Sequence, residues 1–178
     1  MNRRTRLLEL AAYLALFPGG DRAALDEAMW PGRRVGAATR HALVGRLRRW
    51  LGSDPQGEPY VLPYRAERGY RLHPAVRTDW SHWRLLLPRR STATAATQDL
   101  EAALALVRGR PFEGAAVACY AWAEALMPEM SRAVAEAARE LAERYLARGA
   151  PVLADQAVAI GRRADPGHRG LRLLRSRP

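Results

Sequence analysis

Ala37-Ala38-Thr39-Arg40-His41-Ala42-Leu43-Val44-Gly45-Arg46-Leu47-Arg48-Arg49-Trp50-Leu51 is the stretch whose pattern decides the fold. Leu43, Val44, Leu47, Trp50 and Leu51 recur at helical spacing, and Gly52 is a suitable stop for a helix over 37–51. The opposite side carries Thr39, Ala42, Gly45, Arg46 and Arg49. Such a helix docks by one side. Its other side can enter a DNA major groove, which is roughly 12 Å wide, and present donors to bases and phosphates.

Upstream, Leu7, Leu8, Ala11, Leu14 and Ala15 mark a first helix over 4–17, closed by Pro18-Gly19-Gly20. Asp21 is a good N-cap for a second helix over 22–30, with Leu25, Met29 and Trp30 on one side and Pro31-Gly32 at its end. The basic turn Arg33-Arg34-Val35-Gly36 leads into the third helix. Downstream, Pro59-Tyr60-Val61-Leu62-Pro63-Tyr64 and Gly69-Tyr70-Arg71-Leu72 are two β-prone runs around a charged turn, which read as a hairpin. Helix, helix, basic helix, hairpin is the order of a winged helix-turn-helix with a small β-hairpin wing. Trp30, Trp50, Tyr60 and Tyr70 fall at apolar-face positions and are expected in the core.

Charge points the same way. The chain has 178 residues and a net charge of +11, and all 29 of its Lys-plus-Arg positions are Arg. Arg makes planar, bidentate contacts to phosphate and to guanine edges. A GC-rich coding bias explains the missing Lys but not the excess of positive charge. Residues 33–77 hold ten Arg against three acids, whereas a merely solvated surface mixes its signs more evenly. The candidate DNA contacts are therefore Arg33, Arg34, Thr39, Arg40, His41, Arg46 and Arg49 from the turn and third helix, and Arg65, Arg68 and Arg71 from the hairpin.

Composition changes near residue 78, giving domains 1–77 and 78–178. The second is Ala-rich and helical in pattern, with a loop at Pro88–Thr97. Leu141-Ala142 and Tyr145-Leu146 lie on one helix and Gly149-Ala150-Pro151 makes a turn. Ala154, Ala157 and Ala159 lie on a second helix, which Asp165-Pro166 closes, and a last helix runs over about His168–Arg175. Helix, short turn, helix, then Pro is the unit of a helical-repeat array. Glu136, Glu140 and Glu143 look like solvated partners of Arg132, Arg139 and Arg144.

Several blocks together resemble one family. They are Leu7–Leu16, Ala28-Met29-Trp30-Pro31, Arg46–Gly52 and Gly69-Tyr70-Arg71-Leu72, followed by Thr78-Asp79-Trp80, Asp99–Leu104, Val107–Phe112 and Tyr120–Glu124. In this order they are similar to the actinobacterial antibiotic-regulatory transcription factors, in which a bacterial transcriptional activator domain (BTAD) follows a winged helix. The resemblance implies a mostly α chain whose second half is an all-α, tetratricopeptide-like domain. It also implies a cytoplasmic transcriptional regulator with two partners: double-stranded DNA, and a protein such as RNA polymerase or a second copy of the chain. Arg40 stands where the family pattern has an apolar core residue. The alternative is a protein–protein interaction module of a larger regulator whose winged helix no longer binds DNA.

Other classes have little support. His41, His73, His82 and His168 are scattered, with no ligand spacing, so no metal is expected. There is no phosphate-loop motif, and no nucleophile–base set is apparent, so neither cofactor nor enzymatic activity is expected. Cys119 stands alone and reads as a small buried apolar residue. Leu10–Gly20 is too short to span a bilayer, and Glu9 interrupts the apolar stretch after the basic start, so neither a membrane span nor a signal peptide is expected.

Overall fold

A computed structural model describes residues 3–88, 92–115 and 119–174. Its contacts divide the chain into two units. One is Met1–Ser81 with Ala116–Trp122, and the other is His82–Ala115 with Ala123–Pro178.

The first unit is built on three helices, α1 (Arg3–Leu16), α2 (Arg22–Met29) and α3 (Ala37–Leu51). Asp21 caps α2 by accepting a hydrogen bond from the Ala24 amide at 2.8 Å. Leu10, Tyr13 and Leu14 of α1, Leu25 and Met29 of α2, and Leu43, Val44 and Leu47 of α3 meet in one core, which Val61 and Tyr70 complete. The buried stripe of α1 is rotated from the expected one: Leu8 is exposed, while Glu9 is buried. Glu9 is satisfied by Arg6 Nη1 at 2.6 Å and by the Tyr120 amide at 3.2 Å, which ties the 119–122 segment to α1. Beside this tie, Trp122 packs edge-on against Tyr13 and Phe17. Cys119 is buried, as expected of a small apolar residue.

The expected wing does not form as a β-hairpin. Residues 53–73 make an irregular arm held by isolated antiparallel bridges, Ser53 with Pro59, Val61 with Leu72, Arg65 with Gly69, and Gly20 with Tyr70, and no sheet exists among the described residues. The reason is local. Pro59 and Pro63 remove two donors from the first run. The second run turns to another partner, since the Gly19 amide donates to the Tyr70 carbonyl and the Tyr70 amide to the Gly20 carbonyl, both at 2.9 Å. The fold is thus three helices and a bridged arm, not a winged helix-turn-helix.

The second unit is all helical. The chain enters it along α4 (Asp79–Leu86), then forms α5 (Thr97–Ala105), α6 (Leu126–Ala147), α7 (Pro151–Ala164) and α8 (Arg169–Leu173). Of the loop expected over Pro88–Thr97, Arg89, Arg90 and Ser91 lie outside the described residues, as does Arg175 of the expected last helix. α6 and α7 form an antiparallel hairpin around Gly149, and Pro151 opens α7. Ala135, Ala138 and Ala142 of α6 pack with Ala154, Ala157 and Val158 of α7; Ala159, expected on this face, is exposed. The helices approach closely because Gly161 has no side chain: a Cβ there would lie 2.7 Å from Ala138 Cβ. Arg144 fastens the preceding loop to α6, donating to Glu140, to the carbonyls of Thr92, Ala93 and Ala95, and to Thr97 Oγ1. Of the expected solvated pairs, Arg139–Glu143 and Arg144–Glu140 form.

Gly69 is where the arm meets the α1–α2 turn. It has φ +63°, and a Cβ there would sit 2.2 Å from the Gly19 carbonyl oxygen. Gly57, at φ +86°, faces open space. Gly69→Ala should therefore cost about 2–4 kcal/mol, combining strain with overpacking, against about 1 kcal/mol for Gly57→Ala. Urea denaturation of both variants checks this; equal losses would mean the close approach is not rigid.

Candidate nucleic-acid interface

The two sides of α3 are separated by its own periodicity. Arg40, Leu43, Val44 and Leu47 face inward, while Thr39, His41, Ala42, Arg46, Arg49 and Trp50 are exposed. Trp50, expected in the core, is 43 % exposed because it lies at the edge of the buried stripe. Of the other aromatic residues expected there, Tyr70 is buried, while Trp30 and Tyr60 are half-buried.

Arg40 is the clearest correction to the candidate contacts. It occupies the apolar-face position i−3 and i−4 from Leu43 and Val44, so its side chain turns into the protein. There it makes a two-point pair with Asp26 of α2, Nε to Oδ1 at 2.7 Å and Nη2 to Oδ2. The hydrogen bond that Arg40 donates to Asp26 raises the Arg40 pKa above its ordinary value. With both ends of the fork occupied by a carboxylate, Arg40 is a fastener between α2 and α3 and is not available to a ligand.

The remaining candidates lie at the surface. Arg33 and Arg34 are exposed in the α2–α3 turn, where the Arg33 amide donates to the Trp30 carbonyl at 3.0 Å. Arg46 donates through Nε to the Ala42 carbonyl at 3.1 Å, which draws its stem along the outer side of α3. Arg65 and Arg68 are exposed at the tip of the arm, and Arg71 is half-buried. Among the described residues no carboxylate lies within ion-pair distance of Arg33, Arg34, Arg46, Arg49, Arg65 or Arg68.

Two cationic residues outside the candidate set also shape this side. Arg48 donates through Nε to the Val61 carbonyl at 3.1 Å and through Nη2 to the Leu62 carbonyl at 3.4 Å, pinning the arm to α3. Arg22, at the start of α2, lies over the Tyr64 ring at 4.7 Å, and Tyr64 in turn packs on Tyr70 at 4.6 Å. Burial raises the Tyr70 pKa and outweighs the opposing pull of the Arg40 and Arg22 charges, so its hydroxyl stays neutral. Neither residue stands out in the sequence pattern. Arg48 sits between the two sides of the helix, and a contact from Arg22 to Tyr64 leaves no trace in local periodicity.

Asp54, Glu58 and His73 converge at the base of the arm, with potential ligand atoms within 4.8 Å of one another. Their geometry is that of a fastening. Asp54 Oδ1 accepts the amides of Gln56 and Glu58, and His73 Nδ1 accepts the Ala75 amide at 3.2 Å. His73 Nε2 faces Glu58 at 3.5 Å and Asp54 at 3.9 Å, so the imidazole bridges the two carboxylates.

No known protein family, curated protein or solved structure matches this chain. No helix among the described residues is long and apolar enough to cross a membrane.

The contrast between Arg40 and its exposed neighbours is testable. Arg40→Ala leaves a largely buried Asp26 carboxylate without its partner and should lower stability by about 1–3 kcal/mol. Arg46→Ala with Arg49→Ala should stay within about 0.5 kcal/mol of the parent. Thermal and urea unfolding of the two variants measure this, and a loss from the double variant as large as that from Arg40→Ala would contradict the assignment.

Proposed function

We propose that this chain is a cytoplasmic DNA-binding transcriptional regulator of the kind its sequence resembles. In this reading α3 enters the major groove of double-stranded DNA and the bridged arm lies on the adjacent backbone. The observation that carries the reading is the set of exposed Arg residues without carboxylate partners among the described residues: Arg33 and Arg34 beside α3, Arg46 and Arg49 on it, and Arg65 and Arg68 at the arm tip. Guanidinium groups without a protein counter-charge are free to neutralise phosphates and release counterions. Thr39 and His41 add shorter donors on the same exposed side.

The centre of that side holds Ala42 and Gly45, which offer no donors to base edges. Contacts to the DNA backbone therefore supply most of the affinity, and discrimination among sequences is modest. The all-α unit is the proposed protein-binding part, for RNA polymerase or a second copy of the chain. Val152, Leu153 and Leu173 are exposed apolar side chains of that unit which such a contact would cover.

Fluorescence-anisotropy titration against random and promoter duplexes over a salt series tests the reading. The log affinity should fall with log salt by roughly 0.9 per phosphate contact. Arg46→Ala with Arg49→Ala should remove most of the binding while the protein stays folded. Absence of binding even at low salt would leave the alternative, an interaction module whose three-helix unit has lost DNA.

A further inference from the structure

Between α3 and the arm lies a cleft of about 360 Å³, with Gly45 on the α3 wall. Arg22, His41 and Arg48 line it, together with the rings of Tyr64 and Tyr70, and no carboxylate is among its lining residues. His41, Gly45 and Arg48 follow one another at i, i+4 and i+7 on α3, so they share one strip of the helix. A Cβ built at Gly45 would meet nothing within 4 Å, so this wall of the cleft has room for a side chain.

The two Arg residues are already held in place. Arg22 is laid on Tyr64, and the Arg48 fork is anchored by the Val61 and Leu62 carbonyls. Those carbonyls use two of the five N–H donors of a guanidinium and none of its charge. Among the described residues the half-buried Arg48 charge has no carboxylate within ion-pair distance, a state that favours capture of an anion. A phosphate group suits the cleft: it is compact, it accepts from several donors at once, and it can approach a helix closely where the residue is glycine.

We propose that this cleft seats one phosphate group between Arg22, His41 and Arg48. Resting on the DNA reading above, its source is a phosphodiester of the bound duplex, which the cleft clamps while Arg46 and Arg49 lie in the groove. A free phosphate ion has the same chemistry and is the other possible source.

Gly45→Leu separates these cases, because it puts apolar bulk into the cleft and removes none of its cationic residues. It also replaces a helix-interior glycine with a strong helix former, so the variant should be as stable as the parent or up to about 1 kcal/mol more so. Its melting temperature verifies that it is folded. In duplex titrations, a phosphodiester source predicts roughly tenfold weaker binding for Gly45→Leu and a slope of log affinity against log salt reduced by about 1. Inorganic phosphate, added in parallel while the His41 ring resonances are followed by NMR, reads the free-ion source. Saturable shifts in the parent that Gly45→Leu abolishes would support the seat even if the parent failed to bind any duplex, in which case the DNA reading alone falls. Parent-like duplex binding by Gly45→Leu, together with no saturable response of His41 to phosphate, would overturn the proposal.

Discussion

The pair between Arg40 and Asp26 is the constraint on which the first unit depends. It joins α2 to α3 by two parallel hydrogen bonds in a largely buried position. An apolar residue at position 40 would slide and rotate with little cost, whereas a planar guanidinium facing a carboxylate admits one geometry. Because Arg40 must point at Asp26, the outward direction of α3 follows. Leu43, Val44 and Leu47 go to the core, and Ala42, Arg46 and Arg49 go to solvent. A substitution at Arg40 therefore acts on presentation of the basic surface through the orientation of α3, without any contact to a ligand.

The arm depends on the same helix. It has too few paired amides to be a sheet, since Pro59 and Pro63 interrupt its first run and Gly20 takes Tyr70 from the second. Backbone pairing alone would leave such a segment weakly held. Three side-chain devices replace the missing ladder: Arg48 donating to the Val61 and Leu62 carbonyls, Val61 and Tyr70 buried in the helical core, and the Asp54–Glu58–His73 cluster at the base. The arrangement also creates the cleft over Gly45. A ladder is thus unnecessary for placing Arg65 and Arg68 at a defined tip.

Much of this was legible in the sequence, and the failures have identifiable causes. The bounds of α3 follow from its apolar spacing and Gly52, and α2 is marked by Asp21 before it and Pro31-Gly32 after it. The expected hairpin does not form, because Pro59 and Pro63 remove donors from a run whose other residues are β-prone. Charge alone puts Arg40 among the candidate DNA contacts, whereas its position on the apolar side of α3 puts it inside. Its spacing from Leu43, Val44 and Leu47 placed it inside, and only Asp26, fourteen residues away, makes that position tolerable. Trp50 shows the converse error, an apolar residue assigned to the core although it lies at the stripe's edge. Long-range partners such as Glu9 with the Tyr120 amide, or Arg22 with Tyr64, have no local signature at all.

The central claim is that the outward side of α3, framed by the 33–34 turn and the arm tip, is a surface for double-stranded DNA. An amide and side-chain NMR titration of the isotope-labelled protein with a short duplex tests it most directly. The account predicts that shifts concentrate at Arg33, Arg34, His41, Ala42, Gly45, Arg46, Arg49, Arg65 and Arg68, while the Arg40 side chain keeps the resonances of its Asp26-bound state. Shifts concentrated in α6 and α7 with α3 silent, or no shifts at low salt, would contradict it.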